Sequence, residues 1–150
     1  MNVVAENKKA LFDYTILERF EAGIVLTGDE VKALRAKQCS LKGAFAQFQQ
    51  GNLVLLNATI AAYAHAYKKT DEFKTRTRRL LMHKRELQKL FGSITKKGLT
   101  LLPLKIYFNE KNRAKVELGL AVHKKKADKR STLRERDIQR ETARELKKYT

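Results

Sequence analysis

The stretch LTLLPLKIYFNEKNRAKVELGLAV, residues 99–122, decides the fold. Leu102, Leu104, Ile106 and Phe108 alternate with Pro103, Lys105, Tyr107 and Asn109. Beyond the Asn-Glu-Lys-Asn turn, Ala114, Val116, Leu118, Leu120 and Val122 alternate with Arg113, Lys115, Glu117, Gly119 and Ala121. Apolar residues at period two in two runs joined by a short turn predict an antiparallel hairpin, one face buried and one in water. Pro103, with no amide hydrogen for a ladder, is expected at a strand end or edge. The wet face would present Lys105, Tyr107, Arg113 and Lys115 together. A basic sheet face carrying an aromatic suits phosphates and an unstacked base.

The rest of the body extends this pattern. FDYTILERFEAGIVLT, residues 12–27, is rich in β-branched and aromatic residues and predicts two strands bent around Glu21-Ala22-Gly23. GDEVKALRAK, residues 28–37, changes to helical spacing, with Asp29 and Glu30 at the end where a helix dipole favours acids. AFAQFQQGNLVLLNATIAAYA, residues 44–64, reads as a second hairpin turning at Gln50-Gly51-Asn52. Residues 66–79 read as a loop whose Lys68, Lys69, Lys74, Arg76, Arg78 and Arg79 form a second basic cluster. RRLLMHKRELQKLFG, residues 78–92, reads as a helix with Leu80, Leu87, Leu90 and Phe91 on one face. Many short strands with a few interposed helices predict a mainly β fold, a small antiparallel barrel.

Charge sets the class of partner. Among 150 residues, 33 are Lys or Arg and 16 Asp or Glu, for a net charge of +17. Such an excess repels itself unless a polyanion meets it, and nucleic acid is the expected one. The most apolar run, residues 53–64, is interrupted by Asn57 and Thr59 and is far short of the ~20 residues of a membrane helix. No membrane partner is expected. The single Cys39 forms no internal disulfide and fits a reducing compartment, so a cytoplasmic protein is expected.

Catalytic and metal signals do not converge. His65, His83, His123 and Cys39 lack ligand spacing, so no metal and no cofactor is expected. Asp29-Glu30 and the Glu18, Glu21 pair are more easily read as helix and surface acids than as a general acid–base pair, and no catalytic residue is assigned.

The body is expected to span residues 1–122 and a tail residues 123–150. The tail, HKKKADKRSTLRERDIQRETARELKKYT, holds 11 Lys or Arg and 5 Asp or Glu. Arg136, Arg140, Arg144 and Lys148 recur every four residues, a basic stripe on a helix, with Asp137, Glu141 and Glu145 beside it. Each acid–base pair is worth about 0.2–0.5 kcal/mol. Leu133, Ile138, Leu146 and Tyr149 are too few to offset the ordering entropy, so the tail is expected to be disordered when free and to fold on a partner.

Four segments in order resemble the bacterial SsrA-binding protein family, also called small protein B. They are NKKALFDYTILERFEAGIVLTGDEVKALRA, RTRRLLMHKREL, GLTLLPLKIYFNEKNRAKVELGLA and KKKADKRSTLRERD. The resemblance implies an OB-fold-like closed antiparallel barrel with about two to three flanking helices. It implies a non-enzymatic protein that binds the tRNA-like domain of transfer-messenger RNA and takes it to stalled ribosomes for trans-translation. The implied partners are that RNA, the small-subunit decoding centre and mRNA channel, and elongation factor Tu through the RNA complex, with the protein a monomer. The alternatives are a ribosomal or initiation-like RNA-binding protein and a nuclease.

By the same resemblance, Asn7, Glu21, Leu81 and Lys115 match RNA-binding positions, as do Glu30, Lys32 and Arg35 of the helix and Lys124 and Lys125 of the basic pair. Lys8, Phe45, Lys105 and Tyr107 complete the candidate interface. Asp128, Lys129 and Arg130 match the tail motif for ribosomal function, with Arg134, Arg136, Arg140 and Arg144 beyond it. The chain departs from the family at His123, usually glycine, and at Ala127, usually Tyr or His. Further departures fall at Asp71-Glu72-Phe73-Lys74 and at Gly43-Ala44-Phe45.

Overall fold

The computed structural model describes residues 2–61, 74–94 and 99–124. The tail from Lys125 onward and the loop positions 62–73 lie outside the described residues, and so do the expectations made for them. The elements are β1 (Asn2–Glu6), α1 (Lys8–Asp13), β2 (Tyr14–Ile24), α2 (Gly28–Arg35), β3 (Cys39–Ser40), β4 (Phe45–Gln49), β5 (Asn52–Leu56), β6 (Thr59–Ile60), β7 (Arg78–Leu81), α3 (Lys84–Ile94), β8 (Leu99–Phe108) and β9 (Ala114–His123). The fold is mainly β. Seven strands run in the order β1-β8-β4-β5-β7-β2-β9, with β8 and β9 also paired, and β3 pairs with β6 apart.

The 99–122 stretch forms the expected hairpin, with Phe108 opposite Ala114. Asn109 holds its turn, accepting from the Lys111 and Arg113 amides at 3.0 and 2.9 Å. Ile106, Phe108, Val116, Leu118 and Leu120 enter the main core as predicted. The alternation is broken by a bulge between Pro103 and Lys105. One extra residue exchanges the faces of a strand. Before the bulge Leu101, not Leu102, joins the main core, while Leu102 packs with Ala10 of α1 and with Ala121.

The second face is therefore not simply wet, because α1 covers part of it. Nor is Pro103 at an edge: it is buried within β8. It sits where β8 changes neighbours, after Leu101 pairs with β4 and before Lys105 pairs with β1. A missing amide hydrogen is tolerated at such an interruption of the ladder.

Two other expectations are corrected. Residues 14–24 form one continuous strand, bulged between Ile16 and Glu18, with no bend at Gly23. Residues 78–81 are a strand rather than the start of a helix: Arg78 and Leu80 are buried, Arg79 and Leu81 exposed, and the helix begins at Lys84. Strands β4 and β5 form the second hairpin, whose turn places Gln50 and Gly51 at φ 51° and 78°. Asparagine and glycine tolerate such left-handed pairs best, and glycine occupies the second position here.

Candidate nucleic-acid interface

Strand register brings four chain-distant residues into one row. Leu81 of β7 lies opposite Gly23 of β2, Gly23 opposite Lys115 of β9, and Lys115 opposite Tyr107 of β8. The next row holds Glu21, Glu117 and Lys105. Glu21, Leu81, Lys105, Tyr107 and Lys115 thus share one face of the sheet; the sequence expected Lys105, Tyr107 and Lys115 together, and the register adds Glu21 and Leu81 to them. Leu81 is 49% exposed, so it is available as an apolar contact. A cleft of about 400 Å³ lies between Glu21, Gly23, Leu81, His83, Glu86 and Lys115. Lys115 also borders a second cleft of about 370 Å³ with Val31, Phe108 and Arg113.

The face is internally wired. Glu117 accepts from Arg19 Nη1 at 2.7 Å and pairs with Lys105 Nζ at 3.1 Å. Burial pushes the Glu117 carboxyl up, but the Arg19 and Lys105 pairs outweigh it and hold it below its ordinary value. The Lys105 ammonium lies 5.6 Å from the centroid of the Tyr107 ring. Tyr107 is only 6% exposed and donates its hydroxyl hydrogen to Glu21 Oε2. Burial first, then that bond to Glu21, pushes the phenol well above its ordinary pKa. Tyr107 is therefore no open stacking platform for a base: its ring is covered and its hydroxyl committed. Sequence reasoning missed Gly23 and Arg19, and a glycine inside a strand was the available signal for the first.

Asn7 belongs to the frame. It is buried, donates from Nδ2 to the Pro103 and Leu41 carbonyls at 2.9 and 3.3 Å, and accepts at Oδ1 from the Ala10 amide at 3.1 Å. It caps α1 and ties that helix to β8. Lys8 stands exposed on the first turn of α1. Asn7, Lys9, Asp13, Tyr14 and half-buried Phe45 border a cleft of about 360 Å³. Lys124 lies at the same end, its amide donating to the Asp13 carbonyl at 2.9 Å. His123 packs edge-on against Tyr14 at 4.9 Å between ring centroids. Lys115 and Lys124 lie at opposite ends of β9, roughly 30 Å apart.

Glu30 is also structural. It is buried at the start of α2, accepts from the Thr27 amide at 2.9 Å, and Thr27 completes a capping box. Arg76 and Arg78 both donate to its carboxylate, Arg78 Nε at 2.6 Å. Burial raises the Glu30 carboxyl, yet the Arg76, Thr27 and Arg78 donors together hold it below its ordinary value. Arg78 is wholly buried and further bonded to the Ala58 and Lys74 carbonyls, both at 2.8 Å. The second basic cluster thus loses Arg78 to the interior and Arg76 to this pair. Lys32 and Arg35 stay exposed on α2, with the Arg35 guanidinium 4.8 Å from the Phe108 ring centroid.

Burial pushes the Cys39 thiol up to about 11, opposed by Arg78, so it is a thiol rather than a nucleophilic thiolate. Among the described residues no group of three or more His, Cys, Asp or Glu could hold a metal ion, and no helix is long and apolar enough to cross a membrane.

The family model for SmpB protein matches residues 4–148. The chain belongs to the SmpB family. The SmpB relatives include the SsrA-binding protein of Sulfurovum sp., 50% identical over 147 residues, 98% of this chain and 96% of that one. The SsrA-binding protein of Caulobacter vibrioides is 48% identical over 144 residues, 96% of this chain and 94% of its own. A solved SmpB structure described as "tmRNA-SmpB: a journey to the center of the bacterial ribosome" superposes with a TM-score of 0.69 at 52% identity, over 84% of this chain and 87% of that chain.

Proposed function

We propose that this protein binds transfer-messenger RNA and delivers it to stalled ribosomes for trans-translation. The observation that carries the reading is the SmpB match along nearly the whole chain, with relatives named for SsrA binding and a solved relative described with tmRNA and the bacterial ribosome. The Leu81–Gly23–Lys115–Tyr107 row and the acidic and basic groups beside it form the main RNA face. Lys8, Phe45, Lys32, Arg35, Lys124 and Lys125 supply further contacts, and Asn7 and Glu30 act by holding α1 and α2. The protein works in the cytoplasm as a binding module, not an enzyme, and elongation factor Tu is met through the RNA.

The body folds as an OB-like closed barrel. The supporting fact is that each of β8, β4, β5, β7, β2 and β9 pairs with the next and β9 pairs back to β8. The tail, residues 123–150, is the ribosomal part, with Asp128, Lys129 and Arg130 at its base. The test is a binding titration with full-length transfer-messenger RNA against a length-matched unstructured RNA, followed by tagging on stalled ribosomes. Preference for the former with restored tagging in a strain lacking the gene is expected; equal affinity for both RNAs would overturn the reading.

A further inference from the structure

The strongest unexplained feature is an exposed acid on the RNA face: Glu21 shares its cleft with Lys115, His83 and a second acid, Glu86. Glu21 repels phosphate, and it stands in the same row as Glu117 and Lys105. Glu117 is consumed by its own two cations, Arg19 and Lys105. Glu21 is exposed, and its Oε2 accepts from the Tyr107 hydroxyl. Tyr107 cannot easily move: it is buried, reaches across β9 from β8 to β2, and has the Lys105 ammonium beside its ring. An ionised carboxylate has about four lone-pair sites, so one bond from a phenol leaves acceptor capacity.

We propose that Tyr107 is a positioning residue which fixes Glu21 as a rigid acceptor for a hydrogen-bond donor of the RNA, a base amino or imino group or a 2′-hydroxyl. This deepens, and rests on, the reading of the row as the RNA face. Lys115 and the other cations hold phosphates of any RNA; the Glu21–Tyr107 pair admits only a nucleotide that offers a donor at one point. A free glutamate would spend rotamer freedom on binding and would swing toward Lys115, which lines the same cleft. Held by Tyr107, it is presented beside Leu81 and discriminates by leaving a carboxylate desolvated and unmatched when the donor is absent. The raised pKa of the phenol agrees with this geometry, since the hydroxyl keeps its proton and remains the donor.

The experiment is a double-mutant cycle on the full chain with Tyr107→Phe, Glu21→Gln and the double variant, with Lys115→Ala alongside. Affinities are measured for transfer-messenger RNA and for inorganic polyphosphate, which offers phosphates but no base or 2′-hydroxyl donor, and thermal melts check the fold. Tyr107→Phe keeps the packed ring and removes only the hydroxyl. The expected result is a fall of roughly tenfold in the ratio of the two affinities, the worth of a charged hydrogen bond. The double variant should bind as Glu21→Gln alone does, because Tyr107 acts through Glu21. Additive losses, or an unchanged ratio for Tyr107→Phe while Glu21→Gln and Lys115→Ala both lose affinity, would overturn the proposal and leave the RNA face standing. No loss in any variant would overturn both.

Discussion

At the scale of single residues, Lys115 and Gly119 show how one strand divides its duties. Lys115 stands between two clefts and is the cation nearest to Leu81 and Gly23 in the row. Lys115→Ala is expected to weaken RNA binding and to reduce the slope of log affinity against log salt by about 1, read from titrations at several salt concentrations. Gly119, four residues on, serves packing instead. A Cβ there would lie 2.9 Å from Leu104 Cδ1 and 3.2 Å from Ile16 Cγ2, both side chains of the covered outer face. Gly119→Ala should cost about 1 kcal/mol by overpacking, read as a lower melting temperature with the salt slope unchanged. The alternation of the sequence placed Lys115 on the outer face directly. It could not show that Gly119 and Ala121 on that face are covered, because the cover comes from Ile16, Leu104 and α1 elsewhere in the chain. For the same reason the sequence reads Tyr107 as open: Val3 of β1, Lys115 of β9 and Glu21 of β2 are brought beside it only by strand pairing.

At the scale of elements, α2 and β7 are joined by a buried ion cluster rather than by apolar contact alone. Glu30 and Arg78 are 3% and 0% exposed, and 48 residues separate them in the chain. Removing Arg78 leaves the buried Glu30 carboxylate with Arg76 as its sole guanidinium partner, takes the Arg78 donors from the Ala58 and Lys74 carbonyls, and empties a wholly buried site. Arg78→Ala is therefore expected to destabilise by about 3–5 kcal/mol, measured by denaturant unfolding. The pH dependence follows from the same pair. Glu30 has a folded pKa below its ordinary 4.5, so its stabilising effect is complete above that value. It is lost as pH falls through the lower folded value, when the carboxylate takes a proton and both arginines lose their acceptor. Stability measured from pH 7 downward should hold to about 5 and then decline, and the decline should be shallower in Glu30→Gln, which starts from lower stability. The helix α2 was legible from its spacing and its acids. The partnership was not, because Arg78 reads locally as one of six basic residues in a loop, and the period-two burial of β7 spans only four residues. A four-residue strand next to a helix with its own leucines is absorbed into the helical pattern.

At the scale of the whole molecule, charge distribution argues for two surfaces with separate tasks. The tail carries 11 Lys or Arg against 5 acids, yet most of the +17 belongs to the body. The body alone thus carries an excess of cations with which to hold an RNA. If it neutralises about five phosphates, log affinity against log salt should slope by roughly −3.5 to −4.5, and a slope near zero would contradict phosphate-led binding. If the tail is helical on its partner, as its spacing predicts, Arg136, Arg140 and Arg144 would give a second polyanion one basic stripe. Deleting residues 131–150 is accordingly expected to leave the affinity and salt slope for transfer-messenger RNA within about twofold, since the lost charges carry little of the contact. The same deletion should abolish tagging on stalled ribosomes in a reconstituted translation assay. A deletion that lost RNA affinity in proportion to its lost charge would instead make the tail part of the RNA site, and the body would no longer suffice.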